Sequence, residues 1–326
     1  LRVVQIGLGP LGQLLTPYIT ERASLKLTGA VDIRPGLVGT DLGTHNGQSP
    51  MGIQITDHLD TALDNADVAV VTTVSELDRI WPLLESIGNR GVHIVSTCEE
   101  LSYPWVTQAE LSQKIDLMAR KNGVSILGTG INPGFLMDFL PLAITGVCRK
   151  VNSMHVCRIQ DASFRRLPFR QKIGAGLTVD EFKKRVLARK IRHVGLTESM
   201  HMIAARLGWS LEKTEDIIEP IVAQVDIRGA DWHVAAGLAA GVHQMGYGYA
   251  GGRKVITLEF RAAVGQSDPQ ERVHIDGSPE FDVTIPGGIN GDAATCSVIT
   301  NAIPVVANAP PGLHTMADLP PISCCD

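Results

Sequence analysis

The stretch Gly7-Leu8-Gly9-Pro10-Leu11-Gly12 decides the fold of this chain. The short apolar run from Val3 to Ile6 precedes it, and apolar residues recur at helical spacing after it, at Leu14, Leu15 and Ile19. This pattern predicts a strand, a tight turn and a helix. In such a turn Gly7 takes backbone angles closed to other residues, Gly9 lets the main chain approach a pyrophosphate, and Gly12 lets the helix pack on the strand. The stretch therefore indicates a dinucleotide-binding turn, with phosphates against the free N–H groups of the helix start.

An acidic residue stands where such a unit needs one. Asp32 ends the next apolar run, Leu25 to Val31. A carboxylate at this place accepts hydrogen bonds from the adenosine ribose, which favours NAD. Arg34 follows two positions later and can pair with the 2′-phosphate of NADP, although a solvated loop arginine is an equal alternative. We therefore expect NADP and/or NAD as the cofactor.

Polar side chains follow two further predicted strands. Val68 to Val71 and His93 to Ser96 are the continuous apolar runs of strands buried on both faces of a parallel sheet. Ligands bind at the carboxyl ends of such strands, where Glu99 and Glu100 stand next to each other. Capping of a following helix is the alternative role, and it fits Glu99 better than Glu100.

Asn132 precedes Pro133 in a glycine-rich loop, and it also fits the cap position of a helix predicted from Phe135 to Ile144. The predicted cofactor-binding residues are Gly7, Leu8, Gly9, Pro10, Leu11, Gly12, Asp32, Arg34, Thr72, Thr73, Ser75, Thr97, Cys98 and Asn132.

The pattern changes after Val151. Long antiparallel strands are predicted at Val151–Ile159, Gln224–Gly229, Val255–Val264 and Val273–Ile275, with helices at Val179–Ala188 and Thr197–Leu207. The glycine-rich segment Gly237–Gly252 reads as a flexible loop, Asp292–Ala302 as a helix and Pro304–Pro321 as an extended tail. The fold class expected is α/β: a Rossmann-type doubly wound parallel sheet plus an α+β domain with a mainly antiparallel sheet. Residues 1–131 and 291–326 form the expected dinucleotide-binding domain, and residues 132–290 the substrate-binding and dimerisation domain.

The composition is that of a globular enzyme. The chain has 326 residues, 44% of them hydrophobic, and its net charge of -5 gives no basic surplus for nucleic acid or anionic lipid. No apolar run approaches the roughly 20 residues that span a bilayer, and the first strand begins at once, so neither a membrane segment nor a signal peptide is expected. A cytoplasmic location follows as an expectation.

The six cysteines show no metal-binding spacing. None of them forms a CxxC pair and no histidine pair lies nearby at zinc-finger distance, so we expect reduced thiols and no metal. Cys324 and Cys325 at the end of the chain fit a frayed tail.

Motifs in both halves of the chain carry a resemblance. Asp161–Phe169, His193–Ser199, Gly291–Thr295 and Ala309–Leu313 resemble the native amine dehydrogenases. These are relatives of 2,4-diaminopentanoate dehydrogenase, within the broader group that has a dihydrodipicolinate-reductase-like amino-terminal fold. The resemblance implies NAD(P)H-dependent reductive amination of a carbonyl compound by ammonia, or the reverse deamination, usually in a homodimer. It also implies a catalytic glutamate after the strand that ends at Thr97, hence Glu99 or Glu100.

Glu100 is the predicted catalytic residue, and Glu99 is the second choice. Cys98 to Leu101 occupies the place where dehydrogenases similar to glucose-fructose oxidoreductase carry Glu-Lys-Pro, and Glu100 stands at the position of the lysine that reaches substrate. A carboxylate suits amine chemistry because an anion stabilises an ammonium or iminium cation and can take a proton, whereas a lysine would repel the cation.

The predicted substrate-pocket residues are Ser163, Arg165, His193 and Thr295. Packing or interface roles compete for them: Arg165 with Arg166 also fits a solvated or dimer-facing pair, and His193 a core histidine. Apolar residues such as Val255, Leu258 and Phe260 are expected on an exposed sheet face that forms the homodimer.

The main functional prediction is an amine dehydrogenase for small ketones or aldehydes. An amino-acid dehydrogenase of the diaminopentanoate type is the alternative, with Arg165 or Lys172 holding the substrate carboxylate. A sensor that binds NAD(P) without catalysis is the alternative outside enzymes. Dihydrodipicolinate reductase is disfavoured, because its histidine-pair-and-lysine motif has no counterpart in the sequence.

Overall fold

A computed structural model describes residues 1–165, 167–230 and 232–324, so Arg166 and Cys325 lie outside the described residues. The chain divides into two compact units, one formed by Leu1–Phe135 with the segment from Asn290 onward, the other by Leu136–Ile289. Among the described residues no helix is both long and apolar enough to cross a membrane.

The described residues form the following strands and helices. The strands are β1 (Arg2–Ile6), β2 (Lys26–Val31), β3 (Ile55–Thr56), β4 (Val68–Val71), β5 (His93–Ser96), β6 (Ser125–Gly128), β7 (Lys150–Asp161), β8 (Lys213–Val222), β9 (Ile227–Arg228), β10 (His233–Val234), β11 (Ala239–Ala250), β12 (Arg253–Ala263), β13 (Gln270–Ser278), β14 (Phe281–Pro286) and β15 (Gly312–His314). The helices are α1 (Pro10–Thr20), α2 (Leu42–His45), α3 (Leu59–Leu63), α4 (Leu77–Gly88), α5 (Pro104–Thr107), α6 (Ala109–Lys121), α7 (Phe139–Thr145), α8 (Leu167–Lys172), α9 (Val179–Leu187), α10 (Leu196–Leu207) and α11 (Gly291–Ala307). A short 3-10 turn, Glu99–Ser102, follows β5.

The first unit contains a seven-stranded parallel sheet with the order β3-β2-β1-β4-β5-β6-β15. All four residues of β4 and all four of β6 are buried, as expected for strands covered on both faces. The strands that follow β1 are added on one side of it as far as β3, and from β4 onward they are added on its other side, so the strand order reverses between β1 and β4. In an open α/β sheet this reversal opens a crevice at the carboxyl ends of the strands, where a ligand can bind.

The second unit contains a six-stranded sheet with the order β14-β13-β7-β12-β11-β8. Every neighbouring pair is antiparallel except β7 and β12, which run parallel. Along β12 the residues Ile256, Leu258 and Phe260 are buried, while Thr257 and Glu259 between them are half-exposed. One face of this sheet is therefore packed and the other is more open. The predicted fold class is confirmed.

Gly237–Gly252 is not a flexible loop, and the prediction there was wrong. The segment contains β11, which pairs along its length with β8 and β12. A Cβ at Gly241 would lie 2.0 Å from the carbonyl oxygen of Ala262, and one at Gly246 would lie 3.3 Å from Cε of Met200. The glycines thus allow close packing, and their lack of side chains removed the alternation by which a strand is recognised.

The predicted strand Gln224–Gly229 was also wrong, since only the two-residue β9 lies there. The long strand is β8, which precedes it. Its sequence alternates poorly because β8 is an edge strand with charged side chains, and Pro220 is tolerated at such an edge.

No helix begins at Pro133. Gly134 has φ of +124°, outside the helical region, and α7 begins only at Phe139, whose N–H donates to the side chain of Asp138 (2.7 Å). Asp138 is therefore the cap that was predicted at Asn132. Two other helix boundaries differ from those that the sequence predicts. The sequence predicts one helix from about Val106 to Asn122, whereas the structure has α5 and α6 there. It also predicts a helix around Thr61–Ala66, whereas α3 begins two residues earlier, at Leu59.

The carboxyl-terminal segment is more regular than predicted. Helix α11 extends through Pro304 to Ala307, and β15 adds a seventh strand beside β6. Leu313 of β15 is buried in the core of the first unit, which explains why the segment returns to the sheet.

The apolar face proposed for dimerisation does not exist as predicted. Val255, Leu258 and Phe260 are 5%, 0% and 4% exposed within the chain itself. Leu258 and Phe260 belong to the packed face of the second sheet, because the alternation along β12 directs them toward the core. Val255 is buried at a different place, where the register of β11 and β12 shifts between the pairs Gly248–Ile256 and Tyr249–Lys254.

Candidate active site

The glycine turn lies at the reversal point of the parallel sheet. Gly7 has φ of +89°, and a Cβ there would lie 2.6 Å from the carbonyl oxygen of Thr72. A Cβ at Gly12 would lie 2.1 Å from the carbonyl oxygen of Gly7, so α1 can pack on the turn only with glycine at that position. At Gly9 a Cβ would meet nothing within 4 Å. The fold therefore requires Gly7 and Gly12, whereas the space beside Gly9 is free for a group that approaches the main chain.

Side chains around the turn fix its shape. Thr72 Oγ1 donates to the carbonyl oxygen of Gly7 (2.6 Å), which joins the end of β4 to the end of β1. Pro10 is the first residue of α1 and Leu8 is fully buried. Leu11 is half-buried and Thr73 is exposed.

Asp32 and Arg34 bind each other. The guanidinium of Arg34 donates from Nε to Oδ1 (2.9 Å) and from Nη2 to Oδ2 (2.8 Å). The backbone N–H groups of Arg34 and Leu8 donate to Oδ1 (3.0 Å) and Oδ2 (2.8 Å). The Arg34 guanidinium, with these N–H groups, lowers the pKa of Asp32 to about 2. Since an ionised carboxylate has about four acceptor positions, Asp32 can accept a ribose hydroxyl only when Arg34 moves away.

Glu100 lies just beyond the carboxyl end of β5 with one carboxylate oxygen anchored. Oε2 accepts from the backbone N–H of Leu77 (2.9 Å), the first residue of α4, and from Nε2 of Gln108 (2.7 Å). The backbone N–H of Glu100 donates to the carbonyl oxygen of Ser75 (3.2 Å). Among the described residues Oε1 has no hydrogen-bond partner. Glu100 therefore caps the start of the preceding helix α4, whereas the role predicted from the sequence was the capping of a following helix, more readily by Glu99.

Residues next to Glu100 hold the strand end together. Glu99 starts the 3-10 turn and its carbonyl oxygen accepts from Oγ of Ser102 (2.8 Å). Burial raises the pKa of Cys98 to about 12, so this thiol is protonated. Its Sγ donates to the carbonyl oxygen of Ser75 (3.1 Å), and the Thr97 N–H donates to that of Val71 (3.0 Å).

Asn132 and Thr295 are neighbours in the first unit. Thr295, in the first turns of α11, accepts through Oγ1 from the backbone N–H of Ile131 (3.3 Å). Thr295 was predicted to line a substrate pocket, and this bond places it beside the loop after β6. Asn132 is half-buried in that loop.

The second unit contains an open cleft of about 700 Å³. Ser163 and Arg165 line it together with Arg170, Arg228 and Trp232. Ser163 is engaged in a turn, because its Oγ donates to Asp161 Oδ1 (2.6 Å) and accepts from the Gly265 N–H (2.9 Å). The guanidinium of Arg165 lies 4.0 Å from the ring centre of Phe169. Three arginines around one cleft favour an anionic group as its occupant.

His193 lies apart from that cleft, beside a cavity of about 30 Å³ that Lys172 also lines. Its ring stacks on Phe260 with 4.5 Å between ring centres. Burial and the neighbouring cations, Lys172 first, hold the pKa of His193 well below its usual value, so the ring is neutral at pH 7. His193 therefore does not line the cleft of Ser163 and Arg165, although Phe169 lines the His193 cavity and contacts the Arg165 guanidinium.

Sequence reasoning missed Gln108 and Arg170. Gln108 stands in the break between α5 and α6, eight residues after Glu100, and a single helix was predicted across this break. Arg170 comes directly after the motif Asp161–Phe169. Its position on α8, about one helical turn beyond Arg165, could have indicated that the two arginines line the same cleft.

Comparison with known proteins gives the family. A family model described as the 2,4-diaminopentanoate dehydrogenase C-terminal domain matches residues 135–325. A model described as the dihydrodipicolinate reductase N-terminus matches residues 1–99. The 2,4-diaminopentanoate dehydrogenase of Acetoanaerobium sticklandii is 33% identical, over 98% of this chain and 93% of its own length. The chain belongs to the 2,4-diaminopentanoate dehydrogenase family. The resemblance stated from the sequence motifs is confirmed.

Further relatives agree with this family assignment. An amine dehydrogenase of Streptomyces virginiae is 23% identical over 96% of the chain and 94% of its own length. The solved structure of an amine dehydrogenase from Mycobacterium smegmatis has a TM-score of 0.86 at 23% identity, covering 99% of this chain and 97% of that one. GenD2 from gentamicin A biosynthesis, solved in complex with NAD, has a TM-score of 0.60 at 17% identity, covering 98% and 89%.

Membership of the 2,4-diaminopentanoate dehydrogenase family makes the protein an NAD- or NADP-dependent oxidoreductase that acts on CH–NH2 groups. The residues present fit such a cofactor. The free space at Gly9 admits a pyrophosphate to the start of α1, and Asp32 with Arg34 provides a carboxylate and a guanidinium where the adenosine ribose is held in this fold.

Proposed function

We propose that this enzyme catalyses the reductive amination of small ketones or aldehydes with ammonia, and the reverse oxidative deamination of amines. In this proposal the first unit binds the dinucleotide and the second binds the substrate. The enzyme uses both NADP and NAD, works as a homodimer and is located in the cytoplasm. The bound nicotinamide supplies or accepts the hydride.

The observation that carries the proposal is the state of the Glu100 carboxylate. Two donors from different elements, Leu77 N–H and Gln108 Nε2, fix Oε2 and hence the orientation of the group. Oε1 has no hydrogen-bond partner among the described residues. A carboxylate held at one oxygen and available at the other is suited to proton transfer, because its geometry is set before the substrate arrives.

The chemistry needs an anion at this place. During reductive amination the nitrogen of the substrate passes through an iminium cation, which accepts hydride far better than a neutral imine. Glu100 stabilises this cation. Before addition its carboxylate holds ammonium near the carbonyl carbon and takes one proton from it, so that the ammonia formed can attack with its lone pair. In the deamination direction Oε1 of Glu100 takes the proton that the amine must lose.

A second candidate is the oxidation of an amino acid of the 2,4-diaminopentanoate type. Two observations favour it: the 33% identity to the Acetoanaerobium sticklandii enzyme and the cleft lined by Arg165, Arg170 and Arg228. Guanidinium groups bind carboxylates in a two-point geometry, which gives an amino acid a site that a simple amine would not use.

The two candidates are separated by one screen. Oxidation of NADPH and NADH is followed with ammonia and a panel of ketones, aldehydes and keto acids of matched chain length. The proposal expects ammonia-dependent oxidation with the neutral carbonyl compounds. A preference for keto acids that is lost in Arg170→Ala would favour the amino-acid reading. Absence of ammonia-dependent turnover with every substrate would contradict the proposal.

A further inference from the structure

Four side chains of types that can bind metals gather on the more open face of the second sheet, and none of them lines the arginine-lined cleft. His155 and Cys157 are two residues apart on β7 and therefore point to the same face. Glu259 is paired directly with Cys157 in the register of β12 and β7. His243 lies on β11, diagonal to Glu259. We call these residues the β7-β12 cluster.

The donor atoms of three members already have the spacing of a coordination shell. Nε2 of His155 lies 3.1 Å from Sγ of Cys157, and that Sγ lies 3.4 Å from Oε2 of Glu259. The same Oε2 lies 3.5 Å from Nε2 of His155. Zinc bonds of about 2.3 Å to sulfur and about 2.0 Å to nitrogen or oxygen place tetrahedral ligand atoms about 3.3–3.6 Å apart. One zinc ion therefore fits among these atoms with displacements of a few tenths of an ångström.

The surroundings support a metal site. Nε2 of His243 lies 2.9 Å from Oε1 of Glu259, the oxygen that does not face His155 and Cys157. Such a hydrogen bond orients a ligating carboxylate. The nearby guanidinium of Arg272 is paired with Asp282, which offsets its repulsion of a cation (Nε to Oδ1, 2.7 Å). Paired strands hold all the ligands, so little conformational freedom is lost when a metal binds.

We propose that His155, Cys157 and Glu259 bind one Zn²⁺ or a similar borderline transition-metal ion, with His243 as a positioning residue and a water molecule in the fourth position. Coordination replaces the S–H bond of Cys157 with a bond to the metal, and the proton leaves to the buffer. The thiolate and the carboxylate together balance the two charges of the ion. The site stabilises the second unit by tying β7 to β12. The sequence analysis expects no metal, because the ligands of this site come from separate strands and only the short pattern His155-x-Cys157 is local.

The test uses the full-length protein without an affinity tag, stripped with a chelator and then exposed to zinc or cobalt. The expected result is about one zinc ion per chain after buffer exchange, a zinc-dependent rise in the melting temperature, and a thiolate-to-cobalt charge-transfer band. Cys157→Ser removes the cobalt band and the rise in melting temperature, and His155→Ala lowers the zinc content. His243→Gln keeps the band and weakens the affinity by about 10- to 100-fold.

Cys148→Ser is the matched control, because Cys148 is a half-buried free thiol outside the β7-β12 cluster. It keeps both the band and the stoichiometry. Absence of stoichiometric zinc in the wild-type protein, or equal zinc affinity in Cys157→Ser and wild type, would overturn the proposal. If Cys157→Ser does not fold, the cobalt spectra of the wild type and of Glu259→Gln test the proposal instead. The lack of a thiolate-to-cobalt band in the wild type would contradict it.

Discussion

Arg34 and Asp32 form a two-point ion pair at the place where dinucleotide-binding folds distinguish NAD from NADP. Arg34 occupies acceptor positions that a ribose hydroxyl would need, and it reduces the negative charge that a 2′-phosphate would meet. We therefore expect the Arg34 side chain to weaken the binding of NADH and to strengthen the binding of NADPH.

Replacing Arg34 with alanine should change the Michaelis constants for NADPH and NADH differently. The Michaelis constant for NADPH should rise about 10- to 100-fold, the scale of one lost hydrogen bond to a charged group. The Michaelis constant for NADH should stay unchanged or fall, because Asp32 becomes available. Steady-state kinetics with each cofactor measures both values.

The matched control for this variant is Arg90→Ala, which removes another exposed arginine that is paired with an aspartate, Asp64. It should leave both Michaelis constants unchanged. Equal increases for NADH and NADPH in Arg34→Ala would remove Arg34 from the phosphate site.

The residue types of the cofactor turn were predictable from the sequence because their partners are local. Gly7, Gly12 and Asp32 follow from one strand-turn-helix pattern and the next strand end. The anchoring of Glu100 was not predictable, because its two donors lie in separate parts of the chain: Leu77 starts α4 and Gln108 lies between α5 and α6. Sequence separation, rather than an unusual residue type, concealed this part of the site.

Strand β11 shows that contacts between residues distant in sequence also determine whether a whole element can be predicted. Helices and strands with a regular apolar period are predictable from the sequence, whereas the sequence of β11 predicts a loop. Its glycines suggest flexibility, but several of them are sites of close packing. Only the neighbouring strand and helix determine which meaning a glycine has, and neither is adjacent in sequence.

Gly241→Ala should destabilise the protein by about 3 kcal/mol, because its Cβ would lie 2.0 Å from a backbone oxygen of β12 and the strands would have to separate. Urea denaturation followed by circular dichroism measures the free energy of unfolding.

Gly246→Ala is the control in the same strand. Its nearest contact is the flexible end of Met200 at 3.3 Å, so stability should stay within about 1 kcal/mol of the wild type. If both variants unfold at the wild-type urea concentration, then close packing does not explain the glycines of β11.

At the scale of the whole molecule the sequence indicated both architectures, because the parallel and antiparallel sheets have different hydrophobic patterns. It did not indicate which face of the second sheet is open. The sequence around Leu258 and Phe260 would be the same whether these side chains packed in the core or faced a partner subunit. The basis for a dimer interface at these residues is therefore gone, although the family resemblance still implies a homodimer.

We keep the homodimer as a prediction. Light scattering at micromolar concentration should give a mass of about twice the 35.0 kDa chain. A single species of 35.0 kDa across the concentration range would refute it.

The proposed action of the Glu100 carboxylate on the nitrogen of the substrate is tested by the turnover number of Glu100→Gln. The substitution keeps the size of the side chain and an oxygen for Leu77, but it removes the charge. Ammonia-dependent NADPH oxidation should fall by about 100-fold or more, the usual scale for a lost acid-base or electrostatic group. Cofactor affinity, measured by fluorescence, and melting temperature should change little, and Glu99→Gln should be much milder. An active Glu100→Gln beside an inactive Glu99→Gln would transfer the role to Glu99, and two active variants would contradict the carboxylate mechanism.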